Sequence, residues 1–528
     1  MTTAATPMRE QPPEHTLSKI VATIGPASDS PEMVRRLIEA GVGVFRFNFS
    51  HGDFAGHEKR LDVVRQVSAE MNRPVACLGD LQGPKIRVGK VAPVGESKGV
   101  VLEPGDTVII QRDLALSVVE PGEGGTKTVR FPTTYPQMIG EVQPGQRVLI
   151  NDGAIRMLAT EADVKRGELR CVVKVGGLVT SSKGINLPES ELSAPAITDR
   201  DWECVAWAVE NAMDFLALSF VREASEVMQL KERLAGMCPA DRASDLRHET
   251  ATLPVIAKIE TPKAVKNIQS IVEASDGIMV ARGDLGVEMD IARVPVEQKR
   301  IIAACHEWGK PCIVATQMLE SMIESPIPTR AEASDVANAI FDGADAVMLS
   351  AETATGKFPL VVVDTMRRII AAAEARNAEL PAMESAPNKL IETRYGTAAL
   401  AHGAWHIARD TGARLIACWS EQGGTARYLS QNNFRVPILA YSSSLRACRR
   451  MNLLAGVFPI HMPAPDSETP LADWNKAVDD FVLHRGLCKP GDVIVLLAGR
   501  PLGQAKSTNT IALHRVGEPT AGFRGHGA

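Results

Sequence analysis

The chain has 528 residues, 45% of them hydrophobic, and a formal net charge of −5. That length allows roughly three or four domains at ~150 residues each, with a core large enough to stand without disulfides or a structural metal. A charge so near neutral argues against a nucleic-acid surface or a polybasic membrane contact. The nine cysteines include no CxxC pair and point to reduced, buried thiols in the cytoplasm, and no run of eighteen apolar residues offers a membrane span.

In chain order, residues 1–16 are polar, contain prolines and lack an apolar signal core, which predicts a flexible tail. Eight short apolar runs then stop at polar clusters. They are Ile20–Ile24 before Gly25-Pro26, Val42–Phe47 with Arg46, Asn48, Ser50 and His51 at its end, and Val75–Leu78 before Asp80. Phe215–Leu218 leads into Ser219-Phe220-Val221-Arg222, Val255–Ala257 into Lys258-Ile259-Glu260, and Gly277–Ala281 into Arg282-Gly283-Asp284. Cys312–Ala315 precedes Thr316-Gln317, and Ala346–Leu349 precedes Ser350-Ala351-Glu352. Helical patterns lie between them: Ser30 reads as an N-cap with Pro31 at the first helical position, and Asp201–Met213 and Pro359–Ala373 read as helices. Eight strands alternating with helices favour a (β/α)₈ TIM barrel, in which chemistry sits at the carboxyl ends of the strands.

One interval is too long for a single crossover. Residues 88–184 are rich in Gly, Pro and Val and carry the runs Thr107–Ile110 and Arg147–Ile150, the latter ending at the turn signal Asn151-Asp152-Gly153. This predicts an inserted, β-barrel-like lid domain hung from the third strand and able to exclude water. The barrel would then comprise 17–87 and 185–376. Residues 377–528, with buried-strand runs at Leu415–Cys418, Ile438–Ala440 and Val493–Leu497, predict a C-terminal doubly wound α/β domain.

Lys258 and Glu260 are two apart in a strand and so share a face. With Asp284 on the next strand end, two carboxylates offer a site for a hard divalent ion, and Lys258 adds positive charge where a phosphoryl group would sit. Two other readings stay open on these residues alone: a structural Lys–Glu pair, and a Schiff-base lysine in a Mg²⁺-dependent lyase or aldolase acting on pyruvate-like substrates. The flanking acids weigh against the second, because they favour the protonated amine, which cannot attack. Arg46 continues the alternation Val42, Val44, Arg46, and an arginine on a buried face calls for an anionic partner. Gly283-Asp284-Leu285-Gly286 suits a turn whose amides face an anion.

The chain resembles the pyruvate kinase family. The matching segments are KIVATIGPAS (19–28), FRFNFSHG (45–52), GDLQGPKIR (79–87), KGINLP (183–188), VIAKIE (255–260), MVARGDLGVE (279–288), VATQMLESM (314–322), PTRAEASDVANAI (328–340) and MLSAETATGKFP (348–359). The insert and last domain match more loosely. The resemblance implies transfer of the phosphoryl group of phosphoenolpyruvate to ADP, giving pyruvate and ATP in glycolysis. It implies Glu260 and Asp284 as ligands of Mg²⁺ or Mn²⁺, and Lys258 as the group that stabilises the phosphoryl in transit. The Gly283 and Asp284 amides with Thr316 would hold the substrate carboxylate and Arg46 the phosphate. Pro26, Asn48, His51, Arg87 and Lys183 would serve the nucleotide. Thr316, Ser350 and Glu352 fall in segments linked to protonation of enolpyruvate. A catalytically dead relative would have lost key charges, and Arg46, Lys258, Glu260, Asp284 and Thr316 are all present.

Many members of that family need K⁺, held at the positions of Asn48, Ser50 and Asp80 and by the carbonyl at Leu81, and carry Glu where this chain has Lys85. Lys85, with Leu81, Gln82 and Val88 in place of the usual Thr, Lys and Thr, resembles the K⁺-independent subgroup. An ammonium there would supply the missing charge and repel an added cation, and the expectation is an Asp80–Lys85 pair. In the last domain the family often binds a phosphorylated effector at a loop opening a helix. The matching residues are Ser420, Gly423, Gly424, Thr425 and Arg427; the glycines and threonine suit an anion, whereas Glu421 repels one. The family is commonly homotetrameric, which sets the expectation for assembly.

Overall fold

The computed structural model describes residues 16–95, 97–237, 252–380, 388–392, 395–432 and 435–518. Residues 1–15, most of the predicted tail, lie outside the described residues. The eight predicted strands are all present: β1 (Lys19–Thr23), β2 (Val42–Asn48), β3 (Ala76–Asp80), β4 (Phe215–Leu218), β5 (Val255–Ile259), β6 (Gly277–Ala281), β7 (Cys312–Ala315) and β8 (Ala346–Leu349). They close in sequence order into an all-parallel barrel. Alternation along each strand sorts the side chains. Val21, Val44, Leu78, Ile256, Met279, Ile313 and Met348 fill the interior, and Phe45, Phe47, Ile278, Val280 and Val314 face the surrounding helices. Ser30 caps the first helix by accepting from Met33 N, with Pro31 leading it.

Val42 does not share the face of Val44 and Arg46 as the alternation suggested; it packs with the outer cluster. The β1–β2 register shifts here, Ile20 pairing with Val42 and Val21 with Val44. Gly43, the residue skipped, lies so close to Asn452 that a Cβ would meet its carbonyl oxygen at 3.3 Å. Room for the last domain under the barrel thus explains the glycine, which sits at the slip in register.

The insert is mainly β, with one short helix at Met138–Glu141. Its main sheet has seven strands and stays open rather than closing into the expected barrel. One edge is Val118–Pro121, exposed throughout; the other is Ile185–Asn186, which pairs with Arg147–Ile150. Residues 185–186, assigned by sequence to the barrel, therefore belong to the insert's sheet, and Ile86, Ile185 and Leu187 sit in its core. Its two connections run side by side: Val88 N donates to Lys183 O and Ile185 N to Ile86 O, both at 2.8 Å.

The last barrel helix runs Pro359–Glu379, through the expected boundary at 377. Beyond it a five-stranded sheet is built from β9 (Ile416–Trp419), β10 (Ile438–Ser442), β11 (Val457–His461), β12 (Val493–Gly499) and β13 (Thr508–Arg515). The order is β11-β10-β9-β12-β13, with only β13 antiparallel. Separate apolar clusters cover its two faces, as a doubly wound domain requires.

This domain closes the amino-terminal end of the barrel. Leu453, 1% exposed, joins the interior cluster with Val21, Val44 and Met348. Around it, Lys19 Nζ donates to Val457 O at 2.6 Å, Asn452 Nδ2 to Pro74 O at 2.7 Å and Gln431 Nε2 to the buried Asp345 Oδ1 at 2.9 Å. Burial pulls the Lys19 ammonium down to about 8 against the opposing pull of Glu374. Leu453→Ala should leave a void at the barrel floor costing about 2–5 kcal/mol, read as a lower midpoint in urea unfolding of the full chain. An unchanged midpoint would show that this side chain does not seal the floor.

Candidate functional site

The polar clusters at the carboxyl ends of β1–β8 converge, and the centre is Lys258 on β5. Its Nζ lies 3.2 Å from Asp80 Oδ1 and 3.0 Å from Glu260 Oε1, and donates to Ser219 Oγ at 2.7 Å. Three neighbouring strands supply these groups, because β3, β4 and β5 pair in that order. Asp80 is 1% exposed and its other oxygen accepts from Arg46 Nε at 2.7 Å, while Arg46 Nη1 donates to Thr23 Oγ1 at 3.1 Å. The arginine of β2 thus has the anionic partner its buried face demanded.

The charges hold one another in place. Burial works against the Lys258 ammonium, but Asp80 and Glu260 outweigh it and keep the amine protonated above the ordinary lysine range. Burial likewise opposes the Asp80 carboxylate, and Lys258 with Arg46 holds it below the ordinary range. Glu260 differs. Burial pushes its carboxyl up to about 7; Lys258 pulls down, and the carboxylate of Asp284 pushes up again. Its Oε2 accepts from Phe220 N at 2.6 Å, and its buried Oε1 has no aligned hydrogen bond.

Asp284 lies in the first turn of the helix Arg282–Glu288 that opens straight from β6. Gly283 N donates to Thr316 Oγ1 at 2.6 Å, and a Cβ on Gly283 would meet that hydroxyl at 3.3 Å. The Gly283 amide is therefore engaged by Thr316 rather than standing open. Thr316 has φ +71° and Gln317 φ +53°, an unfavourable region for a β-branched residue. Arg282 braces the turn by donating to Thr316 O at 2.9 Å and pairing with Asp335 at 2.7 Å. After β8, Glu352 is 2% exposed and accepts from Ser350 N at 2.6 Å and Leu319 N at 3.3 Å. Burial raises its carboxyl, and its oxygens tie the loops after β7 and β8 together.

Pro26 and His51 are exposed on the loops after β1 and β2. Asn48 ends β2 with Oδ1 accepting from Ser50 N at 3.2 Å, and Leu81 O accepts from Ser219 Oγ at 2.6 Å. Arg87 Nη1 donates to Ser182 O at 2.9 Å where the insert leaves and rejoins the barrel, and Lys183 lies half-buried in the returning chain. The expected Asp80–Lys85 pair is not formed. Asp80 takes Arg46 and Lys258, and the Lys85 stem lies against Gly184, with Cε 3.1 Å from where that glycine's Cβ would stand. The reason is competition: Asp80 ends a strand flanked by two cations already on its own face, and the Gly83-Pro84 turn carries Lys85 out to the insert. Ser420, Gly423, Gly424, Thr425 and Arg427 lie apart from this centre, in the C-terminal domain. Ser420 Oγ accepts from Ala426 N at 3.1 Å, and Gly424–Ser430 forms the helix. Glu421, the misfit acid, accepts from Trp419 Nε1 at 2.9 Å and from Ser443 Oγ.

In the sequence, Ser219 and Phe220 read only as the polar end of a strand, with no role of their own. The signal was present in Ser219 directly following a fully apolar strand, but the positive φ of Phe220, +53°, which turns its amide to Glu260, has no sequence mark.

The family model for the pyruvate kinase barrel domain matches residues 15–363, and that for the pyruvate kinase alpha/beta domain matches 398–514. "Pyruvate kinase 2" of Synechocystis sp. is 40% identical over 502 residues, covering 94% of this chain and 79% of that protein. "Pyruvate kinase" of Staphylococcus aureus is 39% identical over 511 residues, covering 97% of this chain and 82% of that protein. The likeness runs through barrel, insert and last domain alike, and the strand ends that surround Lys258 fall within it; the chain belongs to the pyruvate kinase family of phosphotransferases.

Proposed function

We propose that this chain moves the phosphoryl group of phosphoenolpyruvate to ADP at the mouth of the barrel, with roles divided among the groups around Lys258. The observation that carries this reading is an ammonium held charged in a buried site between Asp80 and Glu260. Such transfers need little covalent help; positioning and fixed positive charge carry them. Lys258 faces the phosphoryl in transit and Arg46 orients the phosphate. Thr316 and the Asp284 amide hold the substrate carboxylate, the Gly283 amide being bonded to Thr316 Oγ1. Asn48, His51, Arg87, Lys183 and Pro26 line the nucleotide side, and Thr316, Ser350 and Glu352 shape the face on which enolpyruvate takes its proton. The lyase reading is disfavoured by the same geometry, since an amine kept protonated by two acids is a poor Schiff-base nucleophile.

Glu260 and Asp284 fit Mg²⁺ or Mn²⁺. Glu260 Oε1 is met by Lys258 Nζ at 3.0 Å without an aligned hydrogen bond, and Glu260 and Asp284 repel, a conflict that a hard divalent cation relieves. When bound, the ion would neutralise phosphate charge. Three of the four groups matching the K⁺ position of other family members are engaged within the chain: Asp80 by Arg46 and Lys258, Asn48 by Ser50 N and the Leu81 carbonyl by Ser219. The chain therefore works without K⁺. The loop Ser420–Arg427 takes a small phosphorylated effector, and the assembly is a homotetramer of the family kind. A cytoplasmic setting is consistent with the described cysteines, all unpaired and buried, and with the lack, among the described residues, of any helix long and apolar enough to cross a membrane.

Lys258→Met should lower turnover of phosphoenolpyruvate and ADP by about 10³-fold while circular dichroism stays native; wild-type turnover would remove Lys258 from its role. Replacing K⁺ by tetramethylammonium at constant ionic strength should leave most of the rate, and a large loss would reject K⁺ independence. Glu260 titrates near 7 in the folded, ion-free chain against about 4.3 unfolded, so the folded state holds a proton the unfolded chain has released. On this account the ion-free protein loses stability as pH rises from about 4.3 to about 7, and a cation binds better above that range. The rise in unfolding temperature given by Mn²⁺ should thus be larger at pH 8 than at pH 6. Equal rises would remove Glu260 from the ligand set.

A further inference from the structure

Glu288 is an acid outside the roles assigned so far. It stands one helical turn beyond Asp284, in the last position of the helix Arg282–Glu288, and is 8% exposed. An apolar residue there would avoid the desolvation of a carboxyl group. Burial pushes the carboxyl up to about 7 against the pull of its one hydrogen bond, and Asp284 and Glu260 add to the rise. That bond comes from another domain: Asn186 Nδ2 donates to Glu288 Oε1 at 2.8 Å.

The surroundings make this contact more than a local pairing. Asn186 belongs to the short strand that returns the insert to the barrel, and that strand pairs with Arg147–Ile150 inside the insert. Three residues before it is Lys183. The returning chain is also knit to the turn that follows Ile150, because Asn151 N donates to Gly184 O at 3.0 Å. The same turn rests on the barrel helix: Gly153, at φ +80°, is close enough to Val287 that a Cβ would lie 3.6 Å from its Cγ1. Two consecutive residues of the helix that carries Asp284 thus receive the insert, Val287 under its turn and Glu288 at its returning strand.

We propose that Asn186 and Glu288 form a latch that seats the returning chain of the lid, and with it Lys183, against the Asp284 helix, so that Glu288 is a positioning residue for the nucleotide side of the reaction. The inference rests on the roles proposed above for Lys183 and ADP. Its geometry demands an acceptor oxygen at Oε1, whether or not that oxygen carries charge. An amide at 288 keeps that acceptor; a methyl does not.

The test is steady-state kinetics with ADP varied at saturating phosphoenolpyruvate, on the full chain and on Asn186→Ala, Glu288→Ala, Glu288→Gln, the Asn186→Ala/Glu288→Ala double variant and Lys183→Ala. Mn²⁺ affinity is measured separately by electron paramagnetic resonance. Asn186→Ala and Glu288→Ala should each raise the KM for ADP by about 5–10-fold, the loss expected for one buried hydrogen bond. The double variant should be no worse than the worse single one, Glu288→Gln should recover most of the loss, and Mn²⁺ affinity should change less than twofold. The latch is overturned if Asn186→Ala leaves the KM for ADP within twofold, if the two losses add, or if Glu288→Gln falls as far as Glu288→Ala. Should Glu288→Ala fail to fold, Asn186→Ala and Glu288→Gln decide alone. If Lys183→Ala also leaves the KM for ADP unchanged, the nucleotide role of Lys183 fails; if only Asn186→Ala does, the latch alone fails.

Discussion

The architecture turns on keeping one amine charged where water is scarce. Lys258 sits in a buried layer at the carboxyl end of β5, and an unpaired ammonium there would lose its proton. Two acids prevent this, Asp80 from the end of β3 and Glu260 two residues along from the lysine itself, and Asp80 is held by Arg46 as well. The parallel barrel makes the arrangement inexpensive in geometry. Adjacent strands run in register, so residues at their ends are brought within reach without long loops. The excess of acid around Lys258, with Glu260 and Asp284 in mutual repulsion, leaves the site short of positive charge, the condition under which a divalent cation is drawn in.

Much of this was legible in the sequence because it is written in local rules. All eight barrel strands, the Ser30–Pro31 helix start and the shared face of Lys258 and Glu260 follow from apolar runs, their polar ends and two-residue alternation. What escaped depends on tertiary competition. The direction of Lys85 was set by two cations already on Asp80, neither adjacent to it in sequence. The outward turn of Val42 came with a register slip beside Gly43, which lies against Asn452, more than four hundred residues away. Ser219 looked like the polar end of one more strand, yet it bridges Lys258 to the Leu81 carbonyl. Ile185–Asn186 read as barrel because its motif abuts barrel sequence, but its hydrogen bonds go to the insert.

The two ends of the barrel are governed by different domains. At the carboxyl end the insert rests on the helix that carries Asp284; at the amino end Leu453 and its polar ring close the floor. Asp345 lies where the lower contacts meet the strands, since it accepts from Gln431 of the last domain and from Cys312 N at the start of β7. β7 leads to Thr316 at its other end, so the last domain and the Thr316 turn are joined by one short strand.

The paired backbone bonds at the base of the insert have a further consequence. Because Val88 meets Lys183 and Ile86 meets Ile185 as hydrogen-bonded neighbours, the chain departs and comes back through a single point on the scaffold. Such a module is a cassette: its interior is free to lengthen, shorten or be exchanged across generations without disturbing a single crossover of the eight-stranded frame beneath.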